Sequence, residues 1–553
     1  MKKIVLAIIA VVLTVAISIT TIAVTQYLVT PEIEMTLDQI DGIGKEFLKS
    51  TAKPSAAEKK FAEALDNDDS TACEVKAGEY IQIDFDELTS VNTFIAKEKI
   101  TTNDNKEFHG DVRDYTIKAW NGEEWVRVYR NDLIEGYHQC VLEQDVMTYA
   151  LRLYIDKLAS GVSAANITTA RADYQAPFER DENYALTAFI GDQSFWQDWD
   201  KIDSDVLMSY DDVIMIQNWQ FDEKGELIVS ASVGENKRAG TIRTYYKWDS
   251  KEGEELSKTF LEKYNALYDP NIKEEDKPNR WVCLTALKED PAVMTWDDTF
   301  WNFDPMDHPG EGKQPGMTDA YGDPAVRKAL VDNVIEYVQK YNFYGVDIDW
   351  EYPYGAQQQE YYYLLIKELG TELHKIGKKL SIDQLPTWCT LPYEYYNDPA
   401  IDRIQIMAYS QEGSGTDRQH NTYWDTCVNM IERYSAAGVD LSKVHLGVGF
   451  YGLGMQSSSS AGWKDQVPRY YIMKKYDRGF NTFGDLSFNG PNCLQDKALY
   501  TLQSKLGGIM VWWIKNDYSK DDVQLTSGKY IKELTLTYYL RDTVERFSYV
   551  ADK

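Results

Sequence analysis

Cysteine and histidine are scarce in this chain, six of each among 553 residues. Cys73, Cys140, Cys283, Cys389, Cys427 and Cys493 stand far apart with no C-x-x-C pair, so neither a zinc knuckle nor a disulfide scaffold is indicated. Most are expected to be buried thiols. No two histidines fall at the close spacing of a metal-binding pair, which leaves a zinc hydrolase without visible ligands. No metal and no cofactor is therefore expected. Positive charge is also in short supply: 58 Lys and Arg against 88 Asp and Glu give a formal net charge of −30. Nucleic-acid binding depends on clustered cations that neutralise phosphates, so nucleic acid is excluded as a partner. A neutral or cationic partner fits the charge, and the oligomeric state is left open.

What the chain does have is length and aromatic rings. Single hydrophobic cores stop growing at about 250 to 300 residues, so 553 residues imply two domains and an extension. An apolar fraction of 43% is enough to bury real cores and argues against wholesale disorder. The 39 Tyr and 15 Trp exceed core needs, and such rings suit sugar binding because pyranose C–H faces stack on aromatic faces.

Residues 1–30 carry an address. Lys2 and Lys3 precede an apolar run from Ile4 to Val24, which has the order of a secretory signal and approaches the length that spans a bilayer. A signal peptide and an uncleaved N-terminal anchor are both open. Either places the rest of the chain outside the cytoplasm, secreted or tethered to the outer face of the membrane, with membrane contact only through this segment. Residues 31–66 are polar, with weak helical spacing in Ala57, Phe61 and Leu65, and are expected to be a stalk or a helical lead-in.

From 67 to 175 the pattern is β. Tyr80–Phe85, Tyr115–Trp120, Trp125–Tyr129 and Leu151–Ile155 alternate with period 2, and Asn121-Gly122 marks a reversal where positive φ at both positions is expected. An all-β sandwich follows. Phe85-Asp86, Val91-Asn92, the Trp120 to Trp125 hairpin and Arg152-Leu-Tyr-Ile155 occur in the order found in discoidin-like modules, also called coagulation factor five/eight type C or galactose-binding-like domains. That resemblance implies a jelly-roll sandwich and a carbohydrate-binding module; a spacer without a ligand is the alternative.

From 183 to 548 strand-like and helix-like runs alternate, the signature of parallel βα units. Candidate strands are residues 186–190, 213–217, 282–286, 345–349, 380–383, 404–408, 444–449 and 508–512. Eight such strands predict a (β/α)8 barrel of the TIM type. One helix is legible in detail: Asp323 caps it, Pro324 opens it, and Val326, Leu330, Val334 and Val338 form one apolar stripe.

The stretch Tyr344-Gly-Val-Asp-Ile-Asp-Trp-Glu-Tyr-Pro353 follows that helix. On a strand, Asp347, Asp349 and Glu351 share one face and stand about 6 to 7 Å apart in consecutive pairs. Like charges that close resist joint ionisation, so one carboxyl stays protonated and can act as a general acid. Glu351, outermost and longest, is that acid. A solvated charge run or a Ca²⁺ or Mg²⁺ site is the competing reading.

The stretch resembles the signature Asp-Gly-x-Asp-x-Asp-x-Glu of glycoside hydrolase family 18, the chitinase family, with Tyr344 in place of the first Asp. Gln405-Ile-Met-Ala-Tyr409, Gly447–Gly452 and Gly507–Trp512 resemble its sixth, seventh and eighth strands. The resemblance implies a retaining hydrolase of β-linked N-acetylglucosamine glycans, chitinase or endo-β-N-acetylglucosaminidase in type, working by substrate assistance. Glu351 would protonate the glycosidic oxygen while the substrate's 2-acetamido carbonyl attacks the anomeric carbon. Asp349 would hold the acetamido N–H, Asp347 would hold Asp349, and Tyr409 would donate to the acetamido oxygen. Met407, Gln405, Tyr352 and Trp512 would bind the sugar. Two departures bear on the substrate: Thr285-Ala-Leu-Lys288 stands where the family has Ser-x-Gly-Gly, and Ser410 follows Tyr409 where chitinases carry Asp. Chitin, N-glycan and cell-wall glycan all stay open, as does endo or exo action. A non-catalytic, lectin-like glycan-binding barrel and an adhesion protein led by the β region are the alternatives in function.

Overall fold

A computed structural model describes residues 47–99, 101–102, 108–132, 134, 138–191, 202–236, 240–286, 317–350, 353, 355–385, 391–408, 424–454, 460–462, 477–479, 481–483, 486–517, 533 and 535–551. Eight strands form a barrel: β1 (Ala185–Gly191), β2 (Asp212–Ile216), β3 (Asn279–Ala286), β4 (Gly345–Asp349), β5 (Lys379–Gln384), β6 (Arg403–Ile406), β7 (Val444–Gly449) and β8 (Gly508–Trp512). Each pairs in parallel with the next, and β8 pairs in parallel with β1, which closes the sheet. All eight strands read from the sequence are present.

Period-2 alternation sends the side chains of each strand in turn to the two faces of the barrel wall. Leu186, Ala188, Ile190, Val346, Ile348, Leu380, Ile382, Ile509 and Val511 face outward into the core shared with the helices. Their alternates Phe189, Ile214, Ile216, Trp281, Cys283 and Met510 meet in a separate cluster inside the barrel. Both faces are apolar because both are covered, as parallel sheets require. Helix α1 (Pro324–Tyr341) starts as expected, with the Asp323 carboxylate accepting from Ala325 N at 2.8 Å and Pro324 in the first turn. Leu330, Val334 and Val338 are buried, Val326 partly so, and left-handed Asn342 ends the helix. Helix α2 (Gly355–Lys375) links β4 to β5.

An antiparallel addition was not legible in the sequence. Trp219–Phe221, Leu227–Asn236 and Gly240–Lys247 follow β2 and join the edge of β3 through Gln220 and Thr285. Its two longer strands, Leu227–Asn236 and Gly240–Lys247, pair with each other in antiparallel fashion.

The N-terminal region is β-rich, with six strands in one antiparallel sheet ordered Cys73–Val75, Ala165–Asp173, Tyr80–Glu98, His138–Leu158, Val112–Trp120 and Trp125–Asn131. The ladder is continuous. Register shifts between Asp84 and Thr89 and between Val91 and Thr93 mark bulges, which bend long strands. Two local expectations are corrected. Only Gly122 has positive φ at the reversal (+96°), because the Asn121 side chain accepts from Glu123 N and Glu124 N and closes the loop that way. Of the stalk or helical lead-in read over 31–66, residues 31–46 lie outside the described residues; 47–61 form no helix, and one short 3-10 turn, Ala62–Ala64, follows, with Phe61 and Ala64 buried against the sheet. Backbone N–H groups of Lys49 and Ser50 bind Asn121 O, so this segment straps the hairpin instead of coiling.

The sheet docks on the barrel through helix α3 (Pro491–Gln503), most of whose residues are buried. Val141 of the sheet belongs to the barrel's outer core, and Ser548–Tyr549 after helix α4 (Leu536–Phe547) pairs with Phe178–Glu179 between the two units. No described helix is long and apolar enough to cross a membrane, and the run Ile4–Val24 lies outside the described residues.

Candidate active site

The site stands on β4, whose five residues are all buried. Gly345 at its start has a packing reason: a Cβ there would meet the Trp281 ring at 2.4 Å. The absent side chain lets Trp281 fill the barrel floor, where its Nε1 donates to Asp212 at 2.9 Å and Arg403 lies 4.8 Å above the ring. Arg403 also pairs with Asp212 at 2.6 Å, so that buried charge is neutralised. Burial, with Arg403 beside it, depresses His445 well below the usual imidazole range, so it is neutral there. Tyr344 sits at this end of the barrel, 37% exposed, with its ring 5.4 Å from Trp281. It is remote from the C-terminal mouth, where barrels of this type carry their chemistry.

Above the floor, alternation turns Asp347 and Asp349 inward while Val346 and Ile348 join the outer core. Asp347 is fully buried, in register with Cys283 of β3 and Ser381 of β5. Neither carboxylate oxygen receives a hydrogen bond of good geometry. Burial raises Asp347 to about 6, opposed by the nearby Ser381, Cys283 and Asp383 side chains and more weakly by Arg403. One step toward the mouth, Asp349 is 6% exposed and in register with Thr285. Its carboxylate, the Cys283 thiol and the Asp383 carboxylate bring donor atoms within 4.8 Å of one another, the one such grouping among the described residues that could hold a cation. Burial and then the three aspartates push the Cys283 thiol far up, so it is an un-ionised thiol.

The interior also holds Gln405, fully buried on β6 between Asp383 and His445 in register. Met407 packs just beyond β6 with Leu385, Met510 and Trp513. Trp512 ends β8, with its ring 5.6 Å from Phe189 and stacked on Trp513 at 5.0 Å. The structure thus gathers Asp347, Asp349, Gln405, Met407 and Trp512 inside one barrel; Glu351, Tyr352 and Tyr409, with Ser410, lie outside the described residues. Sequence reasoning missed Asp383 and Cys283. Asp383 left a readable signal, an acid and Ser381 alternating with Leu380 and Ile382 in a buried strand. A lone Cys283 left none.

Comparison with known proteins adds to this geometry. Residues 310–517 match the model of the family described as Glycosyl hydrolases family 18. Endochitinase 1 of Metarhizium robertsii is 24% identical over 245 residues, 36% of this chain and 58% of that protein. Chitinase 1 of Aphanocladium album is 24% identical over 234 residues, 34% of this chain and 55% of that protein. The chain therefore spans a little over half the length of these curated relatives. A chitinase structure from Bacteroides thetaiotaomicron aligns over 66% of this chain and 97% of its own, at 14% identity and a TM-score of 0.46. Over residues 310–517, which hold five of the eight barrel strands (β4 to β8), the chain is similar to the family 18 glycosyl hydrolases.

Proposed function

We propose that this chain is a retaining glycoside hydrolase of β-linked N-acetylglucosamine glycans, with chitin-type chains as the first substrate to test. The observation that carries the reading is the inward pair Asp347 and Asp349 on a buried barrel strand, with Glu351 two residues further along the sequence. The chitinase names of the matching relatives support it.

In this reading Glu351 is the general acid to the glycosidic oxygen, and the substrate's 2-acetamido carbonyl is the nucleophile. Asp349 receives the acetamido N–H and offsets the positive charge that grows on it as the oxazolinium forms, an interaction stronger in the transition state than in the ground state. Asp347 stands behind Asp349 on the same face. Tyr409 donates to the acetamido oxygen, while Met407, Gln405, Tyr352 and Trp512 line the sugar pocket. The N-terminal sheet, discoidin-like in its motifs, serves as an ancillary carbohydrate-binding module. The run Ile4–Val24 fits an exported or tethered chain.

The test is incubation of the full chain with chitooligosaccharides, N-glycoproteins and peptidoglycan, followed by analysis of released sugars. Glu351→Gln should lower kcat on the order of 10² to 10⁴ with KM nearly kept. Unchanged hydrolysis by that variant, or a sugar trapped covalently on a carboxylate, would overturn the mechanism.

A further inference from the structure

We infer that Cys283, Asp349 and Asp383 form a binding site for one thiophilic divalent cation of the zinc class, and that the bound cation blocks hydrolysis by engaging Asp349. The cation site stands on its own geometry; its effect on turnover rests on the function proposed above.

Three neighbouring strands build the site. Cys283 on β3, Asp349 on β4 and Asp383 on β5 bring one sulfur and two carboxylates within 4.8 Å of one another. β3 pairs with β4 and β4 with β5, so the three groups project from a continuous wall rather than from loops. Their strand neighbours Leu284, Ile348 and Ile382 lie in the outer core, which turns the three inward. Cys283 is fully buried, while Asp349 and Asp383, 6% and 5% exposed, stand near the C-terminal ends of their strands, on the side of the mouth.

Asp347 supplies an independent observation. It lies two residues before Asp349 on the same inward face and opposite Cys283 in register. It is fully buried, and neither of its oxygens receives a hydrogen bond of good geometry. A buried carboxylate left in that state is destabilising, and a divalent cation one step above it offsets the charge, as outer-shell acids and their metals do.

The donor set selects the cation. Calcium and magnesium take six or more oxygen ligands, whereas one sulfur with two carboxylates matches three of the four ligands of zinc or cadmium. Burial and the three aspartates keep the Cys283 thiol un-ionised before the cation arrives. Binding therefore exchanges the thiol proton, released to solvent, for a metal–sulfur bond, and affinity should rise about tenfold per pH unit. A carboxylate of Asp349 that holds the cation no longer offsets the positive charge growing on the acetamido group, so turnover stops at that step.

Zinc binding to the full chain tests the site without any activity. Calorimetry after chelator treatment should find one tight zinc in wild type, weakened at least about a hundredfold in Cys283→Ser and about tenfold in Asp347→Asn. Cys493→Ser, at a buried thiol on α3, should bind as wild type does. Asp383→Asn should behave as Cys283→Ser does, and it decides the matter if circular dichroism shows the serine variant unfolded. Cadmium should give wild type an ultraviolet thiolate charge-transfer band that Cys283→Ser lacks. A wild type without tight zinc, or a folded Cys283→Ser that retains it, would overturn the site. The second measurement is chitooligosaccharide hydrolysis, in which stoichiometric zinc should lower kcat about tenfold or more, reversibly with chelator, and leave folded Cys283→Ser unaffected. Tight zinc with unchanged hydrolysis would overturn the blocking of Asp349. A wild type that binds zinc through Cys283 but hydrolyses none of these glycans would instead strike the function and keep the cation site.

Discussion

Two buried aspartates in this chain have the same exposure, none, and opposite surroundings. Asp496, on α3 where the N-terminal sheet docks, meets His138 Nε2 at 2.7 Å, Val141 N at 2.6 Å and the Tyr129 hydroxyl. Asp347, in the barrel interior, receives no hydrogen bond of good geometry. Burial pushes both acids up; at Asp496 the His138, Tyr129 and Val141 contacts oppose it, and at Asp347 the Ser381, Cys283 and Asp383 side chains do. The difference teaches that burial by itself does not mark a functional acid. A satisfied carboxylate ties two units together, and an unsatisfied one is the candidate for a functional role.

The comparison breaks most easily at the docking surface. Asp496→Ala strands three partners in a dry interface, so stability should fall on the order of 3 to 5 kcal/mol, read as a lower urea midpoint at unchanged slope. The folded variant should keep its turnover. A loss below about 1 kcal/mol would mean that water replaces the carboxylate and that the interface is looser than its hydrogen bonds indicate.

Asp347→Asn should act in the opposite direction. A carboxyl raised from 3.8 to about 6 binds its proton more tightly in the folded state, so its stabilising share is present below about pH 4 and lost as pH rises through 6. The Asn variant escapes that loss. It should gain roughly 3 kcal/mol over wild type at pH 8 and nothing at pH 3, while kcat falls. Equal stabilities at both pH values would show that Asp347 is not a strained acid.

The smallest effect belongs to Tyr344, at the barrel end away from the mouth and against Trp281. Restoring the residue common in the resembled signature, Tyr344→Asp, should change kcat/KM less than about threefold and stability by about 0.5 kcal/mol, mostly through the lost ring contact. A tenfold change in kcat/KM would mean that the floor of the barrel communicates with its mouth.

What the sequence by itself determined is whatever repeats locally. The eight strands, the cap and stripe of α1, and the stacking of Asp347 with Asp349 all follow from period 2, period 3.6 and capping chemistry within a few residues. Tertiary structure decided what depends on residues far apart. Asp383 joins Asp349 and Cys283 only because β3, β4 and β5 are neighbours in the barrel. Asp496 reads as an ordinary helix-surface acid until His138, 358 residues earlier, closes on it. The strap at residues 47–61 likewise takes its form from the hairpin that receives it, through the Lys49 and Ser50 N–H groups on Asn121 O. Local patterns fix which face of each element is apolar, while the partner of a buried polar group is chosen by packing, where the cost of leaving it alone is levied.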